Sequence, residues 1–96
     1  MGADGVFVTP LTGGFTAVFS EQFAGTLSVL AIGGEAEGVV LSGVKYPLEG
    51  ATLSPIVPLG ISNEFLGGEA RVSLARGTLL LFYRSENESI PHILGS

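Results

Sequence analysis

The apolar residues of this chain lie in short runs that glycines separate. Several runs alternate between apolar and polar positions with a period of two, which is the side-chain repeat of a β-strand. The clearest alternation is at 69–74, and a second is at 14–19. No longer window shows the period of about 3.6 residues that an amphipathic helix requires. The pattern therefore predicts strands and turns, without helices.

The candidate strands are spaced regularly and are bounded by turn residues. They lie at about 5–9, 14–19, 25–32, 35–42, 50–54, 56–61, 69–74 and 78–84. Short strands at this spacing predict an all-β fold, a two-sheet antiparallel sandwich of Greek-key or jelly-roll type with about seven or eight short strands. The run 79–83 is apolar on both faces, so it predicts a central strand or a strand whose outer face meets a partner.

Two hairpins are predicted from turn chemistry. Gly33 and Gly34 separate two candidate strands, and adjacent glycines can adopt the positive φ values of a type I′ turn. The segment 75–77 ends in Gly77, which is typical of a three-residue hairpin loop closed by a β-bulge.

A chain of 96 residues is long enough for one domain. We expect residues 1–84 to form the β-sandwich and residues 85–96 to form a C-terminal tail or docking arm. The second segment is polar at first and then apolar at Ile90, Ile93 and Leu94, with no evident partner strand in the chain.

Charged residues are scarce in this sequence. They make up 14% of the chain, whereas an ordinary soluble domain has roughly 25%. This shortage predicts that part of the surface is covered in a homo-oligomer or larger assembly, although a monomer coated with Gly, Ser and Thr is the alternative. The candidate contacts with such a partner are Tyr46, Phe65, Leu80, Phe82, Ile90, Ile93 and Leu94.

The charge balance and residue types exclude several functions. With a formal net charge of −5, the chain has too few cations to bind nucleic acid or an anionic membrane. The N-terminus does not resemble a signal peptide, and no run of apolar residues is long enough for a spanning helix. Without cysteine and with His92 as the single histidine, we expect no zinc site.

No constellation of residues predicts catalysis. His92 lies in the predicted tail, where nothing would hold a general base in place. No glycine-rich phosphate loop precedes a helix, and Glu35 and Glu37 lack the spacing of a calcium site. We therefore predict no catalytic residue, no cofactor and no metal, and a protein that is not an enzyme.

Three segments carry a family resemblance. Segments 14–19, 23–27 and 81–84 resemble small all-β virion proteins of tailed bacteriophages, which are capsid cement or decoration proteins and related tail or fibre modules. The resemblance implies a sandwich, often trimeric, that clamps neighbouring capsid subunits. It predicts a non-enzymatic structural protein of the virion, assembled in the host cytoplasm, with itself and a capsid or tail protein as partners.

A second hypothesis is a carbohydrate- or peptide-binding β-sandwich. Tyr46 lies beside Pro47, and Phe65 lies beside Gly67 and Gly68, so these two aromatic rings are expected to be exposed. An exposed ring can stack on a planar or apolar ligand.

Overall fold

The structure, a computed structural model, describes residues 6–55, 61–84 and 90–95. Its strands are β1 (Val6–Thr12), β2 (Phe15–Phe19), β3 (Thr26–Ser42), β4 (Leu48–Leu53), β5 (Ile61–Glu64), β6 (Ala70–Ser73), β7 (Arg76–Arg84) and β8 (His92–Gly95). All of their pairings are antiparallel. The predicted all-β antiparallel, sandwich-like fold is confirmed. Within these residues, no helix is long and apolar enough to cross a membrane.

Strand β3 belongs to both sheets of the sandwich. Its first half pairs with β5 and β7, and β7 pairs in turn with β1. Its second half pairs with β4 and β6, and β6 leads through β2 to β8. The pairing with β7 shifts register between Ile32 and Glu37, where Gly33 and Gly34 have φ values of 72° and 146°. The two glycines bend one continuous strand, so the predicted hairpin at this position is wrong.

The second predicted hairpin is also wrong. Strand β6 pairs with β2 and β3, whereas β7 pairs with β1 and β3, so the connection between β6 and β7 crosses from one sheet to the other. Gly77 has a φ of 100°, and a Cβ atom there would lie 2.8 Å from the Cα of Ala36. This glycine is needed because β7 approaches the bend of β3 closely at that point.

Aromatic rings fill the centre of the core. The Phe19 ring lies 5.0 Å from the ring of Phe23 and 5.2 Å from those of Phe65 and Tyr83, measured between centroids. These separations are typical of packed aromatic pairs. The hydroxyl of Tyr83 forms a 2.6 Å hydrogen bond with that of Thr9. Phe65 is 8% exposed, so the prediction that its ring is exposed is wrong.

The C-terminal segment has a partner strand within the chain. Strand β8 pairs antiparallel with β2, with Ile93 opposite Ala17. Residues 85–89 of the predicted arm lie outside the described residues. The division of the chain at residue 84 stays a prediction.

Candidate functional site

The loop that joins β3 to β4 packs closely against the sandwich at its first two residues, Gly43 and Val44. Gly43 has a φ of 73°, and a Cβ atom there would lie 2.9 Å from the Cα of Ala70 and would also meet the carbonyl oxygen of Glu69. The next residue, Val44, is buried and forms a β-bridge with Phe65. The loop therefore leaves the sheet in a direction that only glycine permits.

The side-chain amide of Asn63 holds the next part of this loop. Its Oδ1 atom accepts hydrogen bonds from the N–H of Tyr46 at 2.9 Å and from the N–H of Glu64 at 3.0 Å. Its Nδ2 atom donates a 2.7 Å hydrogen bond to the carbonyl oxygen of Tyr46. Asn63 is fully buried, and its hydrogen bonds offset the cost of burying its amide. The backbone of Tyr46 is thus anchored to β5.

The anchored residue presents an exposed aromatic ring. The Tyr46 side chain is 55% exposed, and the Nζ atom of Lys45 lies 5.5 Å from its ring centroid, within the range of a cation–π contact. Lys45 also lies 3.7 Å from a carboxylate oxygen of Glu64, and its N–H donates to the Glu64 carbonyl at 3.0 Å. We call Lys45, Tyr46, Asn63 and Glu64 the Tyr46 site.

The chemistry of the Tyr46 site is that of a stacking surface. A ring with two side-chain torsions, on a backbone that is already fixed, loses little conformational freedom when a ligand packs against it. Among the described residues, no three His, Asp or Glu side chains lie close enough together to hold a metal ion.

An open cleft of about 470 Å³ lies on the first sheet, beside the start of β3. Thr26, which lines this cleft, is the register partner of Glu64, so the cleft and the Tyr46 site share the β3–β5 pair. The cleft is lined by Val6, Gly25, Thr26, Ser28, Phe82, Tyr83 and Arg84. Its charged lining residue is a cation, Arg84, so the cleft suits a neutral or anionic ligand better than a cation.

The structure does not bring the predicted contact residues together. Tyr46 lies in the loop before β4, whereas Leu80 and Phe82 are half-buried on β7. Ile93 and Leu94 lie on β8, at the edge of the second sheet opposite β4, and Ile90 precedes that strand. The exposures of Ile90, Ile93 and Leu94 are 72%, 42% and 41%. That these side chains contact a partner stays a prediction.

The role of Asn63 was missed by the sequence analysis. The alternation 63–66 places Asn63 and Phe65 inside and Glu64 and Leu66 outside. An amide at an inward position breaks the apolar pattern, and this was the available signal. A buried polar residue at such a position needs hydrogen-bond partners, here the backbone of Tyr46.

The chain contains a region that matches a known protein family. The Tyr46 site and most of the sandwich lie in residues 17–79, which match the sequence profile of a domain found in an enzyme. The chain belongs to the family described as the thiamin pyrophosphokinase, vitamin B1 binding domain. No curated protein matches the chain by sequence.

Three solved structures share this fold. The thiamin pyrophosphokinase from Geobacillus thermodenitrificans is 26% identical with a TM-score of 0.70, over 88% of this chain and 39% of that protein. The thiamine pyrophosphokinase from Bacillus subtilis is 19% identical with a TM-score of 0.71, over 83% and 38%. A family member from Enterococcus faecalis is 18% identical with a TM-score of 0.61, over 83% and 37%. The chain thus spans less than two fifths of each of these proteins.

The resemblance to bacteriophage virion proteins is overturned by the family match. Its physical basis was misleading, because the segments that carry it supply core residues. Phe19, Phe23, Leu27 and Tyr83 are all buried in the sandwich. A shared pattern of such residues reports how a small β-sandwich packs and carries no information on function.

The functional predictions drawn from that resemblance are wrong as well. The chain is not a viral cement protein, and the predictions of a homo-oligomer, of a trimer and of capsid or tail partners are not supported. The predicted location in the virion is wrong for the same reason. The prediction that the protein is not an enzyme is corrected, because the family is a domain of an enzyme. The alternative hypothesis of a binding module is nearer to the family, although it named other ligands.

Proposed function

We propose that this chain is the thiamin-binding module of a thiamin pyrophosphokinase, and that thiamin stacks on the ring of Tyr46. The family match supports the ligand. The site is assigned from the anchoring of Tyr46. This residue has an exposed ring, and its backbone N–H and C=O are both hydrogen-bonded to the buried side chain of Asn63.

The chemistry of thiamin fits an exposed aromatic ring. Thiamin joins a planar aminopyrimidine to a thiazolium ring that carries a permanent positive charge, and either ring can stack on tyrosine. The acidic chain, with a formal net charge of −5, attracts such a cation. The cleft near Arg84 is the weaker candidate, because its two lining rings, Phe82 and Tyr83, are half-buried and buried, whereas the Tyr46 ring is exposed.

The proposed part of this chain in the enzyme is the binding of the acceptor. The relatives are named as pyrophosphokinases of thiamin, and the chain matches less than two fifths of them. Its sequence has no glycine-rich phosphate loop before a helix. We therefore assign thiamin recognition to the Tyr46 site and pyrophosphate transfer to the parts of the enzyme that lie outside the matched region.

The test is a titration of the chain with thiamin, in which binding is measured by calorimetry and by NMR chemical shifts. Tyr46→Ala is expected to weaken thiamin binding by about tenfold, since it removes the stacking surface. Tyr46→Phe keeps the ring and is expected to stay within about threefold of the wild type. Phe15→Ala removes another exposed ring, 42% exposed on β2, and serves as the matched control. Equal affinity of the wild type and Tyr46→Ala would refute the proposed site.

A further inference from the structure

One face of the Tyr46 ring already holds a cation. The Lys45 ammonium lies 5.5 Å from the ring centroid, and Lys45 directly precedes Tyr46 in the anchored loop. The ammonium also lies 3.7 Å from a carboxylate oxygen of Glu64, which is an ion-pair distance but longer than a good hydrogen bond. The ammonium therefore contacts the Tyr46 ring and the Glu64 carboxylate at the same time.

This arrangement treats the two rings of thiamin differently. A thiazolium that stacks on the occupied face must displace Lys45, so one cation–π contact replaces another with little net gain. On the opposite face the thiazolium still meets a ring whose electrons are engaged by the ammonium. The two positive charges also repel each other, and the Glu64 carboxylate beside Lys45 offsets only part of this repulsion. The uncharged aminopyrimidine meets no such opposition, since it can stack while Lys45 stays in place.

We propose that Lys45 is a specificity-determining residue of the Tyr46 site. Lys45 directs the aminopyrimidine of thiamin onto the Tyr46 ring and the thiazolium away from it. This inference rests on the proposed function. It goes further in naming which half of the ligand is stacked and which residue makes the choice. It also predicts that the site accepts uncharged planar heterocycles in preference to aromatic cations.

The first test measures the orientation of bound thiamin by NMR, at a pH at which the aminopyrimidine is uncharged. In the wild type, nuclear Overhauser contacts are expected from the Tyr46 ring protons to the aminopyrimidine protons. In Lys45→Met, which keeps the side-chain length and removes the charge, contacts to the thiazolium protons are expected to appear. Thiazolium contacts in the wild type would overturn the inference.

The second test uses the two halves of thiamin as separate probes, an aminopyrimidine and an N-alkylthiazolium. Lys45→Met is expected to tighten binding of the thiazolium probe by about three- to tenfold at low salt and to leave the aminopyrimidine within about twofold. Arg76→Met removes a positive charge at the first residue of β7, outside the Tyr46 site, and is expected to leave the affinity for both probes unchanged. Lys45→Arg keeps the charge and is expected to behave as the wild type.

Different results refute the proposed function and the role of Lys45. If thiamin contacts Tyr46 but Lys45→Met changes neither the contacts nor the affinity of the thiazolium probe, the role of Lys45 is refuted and the proposed function stands. If thiamin contacts Tyr46 in neither protein, the proposed function itself is refuted. If Lys45→Met and Arg76→Met tighten the thiazolium probe equally, the effect is one of net charge and the role of Lys45 is refuted.

Discussion

The side-chain amide of Asn63 binds both the N–H and the carbonyl oxygen of Tyr46, which lies 17 positions earlier in the chain. It replaces the backbone partner that a neighbouring strand would provide. In a loop that leaves the sheet, the residue that presents an exposed ring thereby has both its backbone groups hydrogen-bonded, as a residue in a strand does. Rigidity of a binding group on such a support favours recognition because less freedom is lost on binding.

Replacing Asn63 with alanine should cost both stability and binding. Asn63→Ala leaves the N–H and C=O of Tyr46 without their partner, and we expect the free energy of unfolding to fall by about 2 kcal/mol. Thiamin affinity should fall as well, since the ring is no longer held. Denaturant unfolding and thiamin titration measure the two effects. Leu79→Ala, a core truncation away from the Tyr46 site, is the control, and it should lower stability without weakening thiamin binding in the remaining folded protein.

Gly43 should tolerate alanine much less well than Gly50 does. The two residues have nearly the same φ, 73° and 72°, but only Gly43 faces the backbone of Ala70, while nothing lies within 4 Å of a Cβ at Gly50. We expect Gly50→Ala to cost about 1 kcal/mol, for the left-handed backbone alone. Gly43→Ala should cost at least about twice as much, because the strand must also move. Equal midpoints in urea for the two variants would contradict the assigned close approach.

The hydrogen bond between Thr9 and Tyr83 should be measurable as a coupling. It joins β1 to β7 at 2.6 Å, and Tyr83 is 2% exposed. We expect Tyr83→Phe and Thr9→Val to destabilise the protein by about 0.5–1.5 kcal/mol each. In a double-mutant cycle their effects should be less than additive, since the second change removes a bond that the first has already broken. Strict additivity would show that the bond contributes nothing to stability.

The ion pair between Arg71 and Glu69 should contribute little to stability despite its short distance. The atoms Nε and Oε2 are 2.7 Å apart, but both side chains are 55% exposed. Exposed pairs are screened by water and salt and contribute about 0–1 kcal/mol. Glu69→Gln is therefore expected to shift the free energy of unfolding by less than about 0.5 kcal/mol. A loss comparable to that of Asn63→Ala would show that the pair is part of a larger network.

The sequence predicted the fold class but not how the strands connect. Alternation identified β6 correctly, because its inward residues Ala70 and Val72 are fully buried. At Gly33 and Gly34 the same positive φ values that close a hairpin instead bend β3. The choice between the two depends on the distant strand β7, which pairs with β3 on both sides of the bend, and no local pattern contains that information.

The exposed ring of Tyr46 was predicted, whereas its support was not. Proline after an aromatic residue indicates a loop, and this sufficed to place Tyr46 outside the core. The same reasoning failed for Phe65, because a nearby glycine turn does not reveal the packing of its ring against Phe19 and Phe23. The partnership of Asn63 with Tyr46 spans the whole of β4, so it depends on the tertiary structure.

The passage of β3 through both sheets has a consequence for the order of events in folding. This strand pairs with β4, β5, β6 and β7, three of which follow it at long range in the sequence. Neither sheet can be completed before strands that are far apart in the sequence have paired. Folding should therefore be slow, on the scale of about milliseconds to seconds. The amide protons of β3 should then be the last to exchange with deuterium, and the two sheets should lose their protection together rather than one after the other.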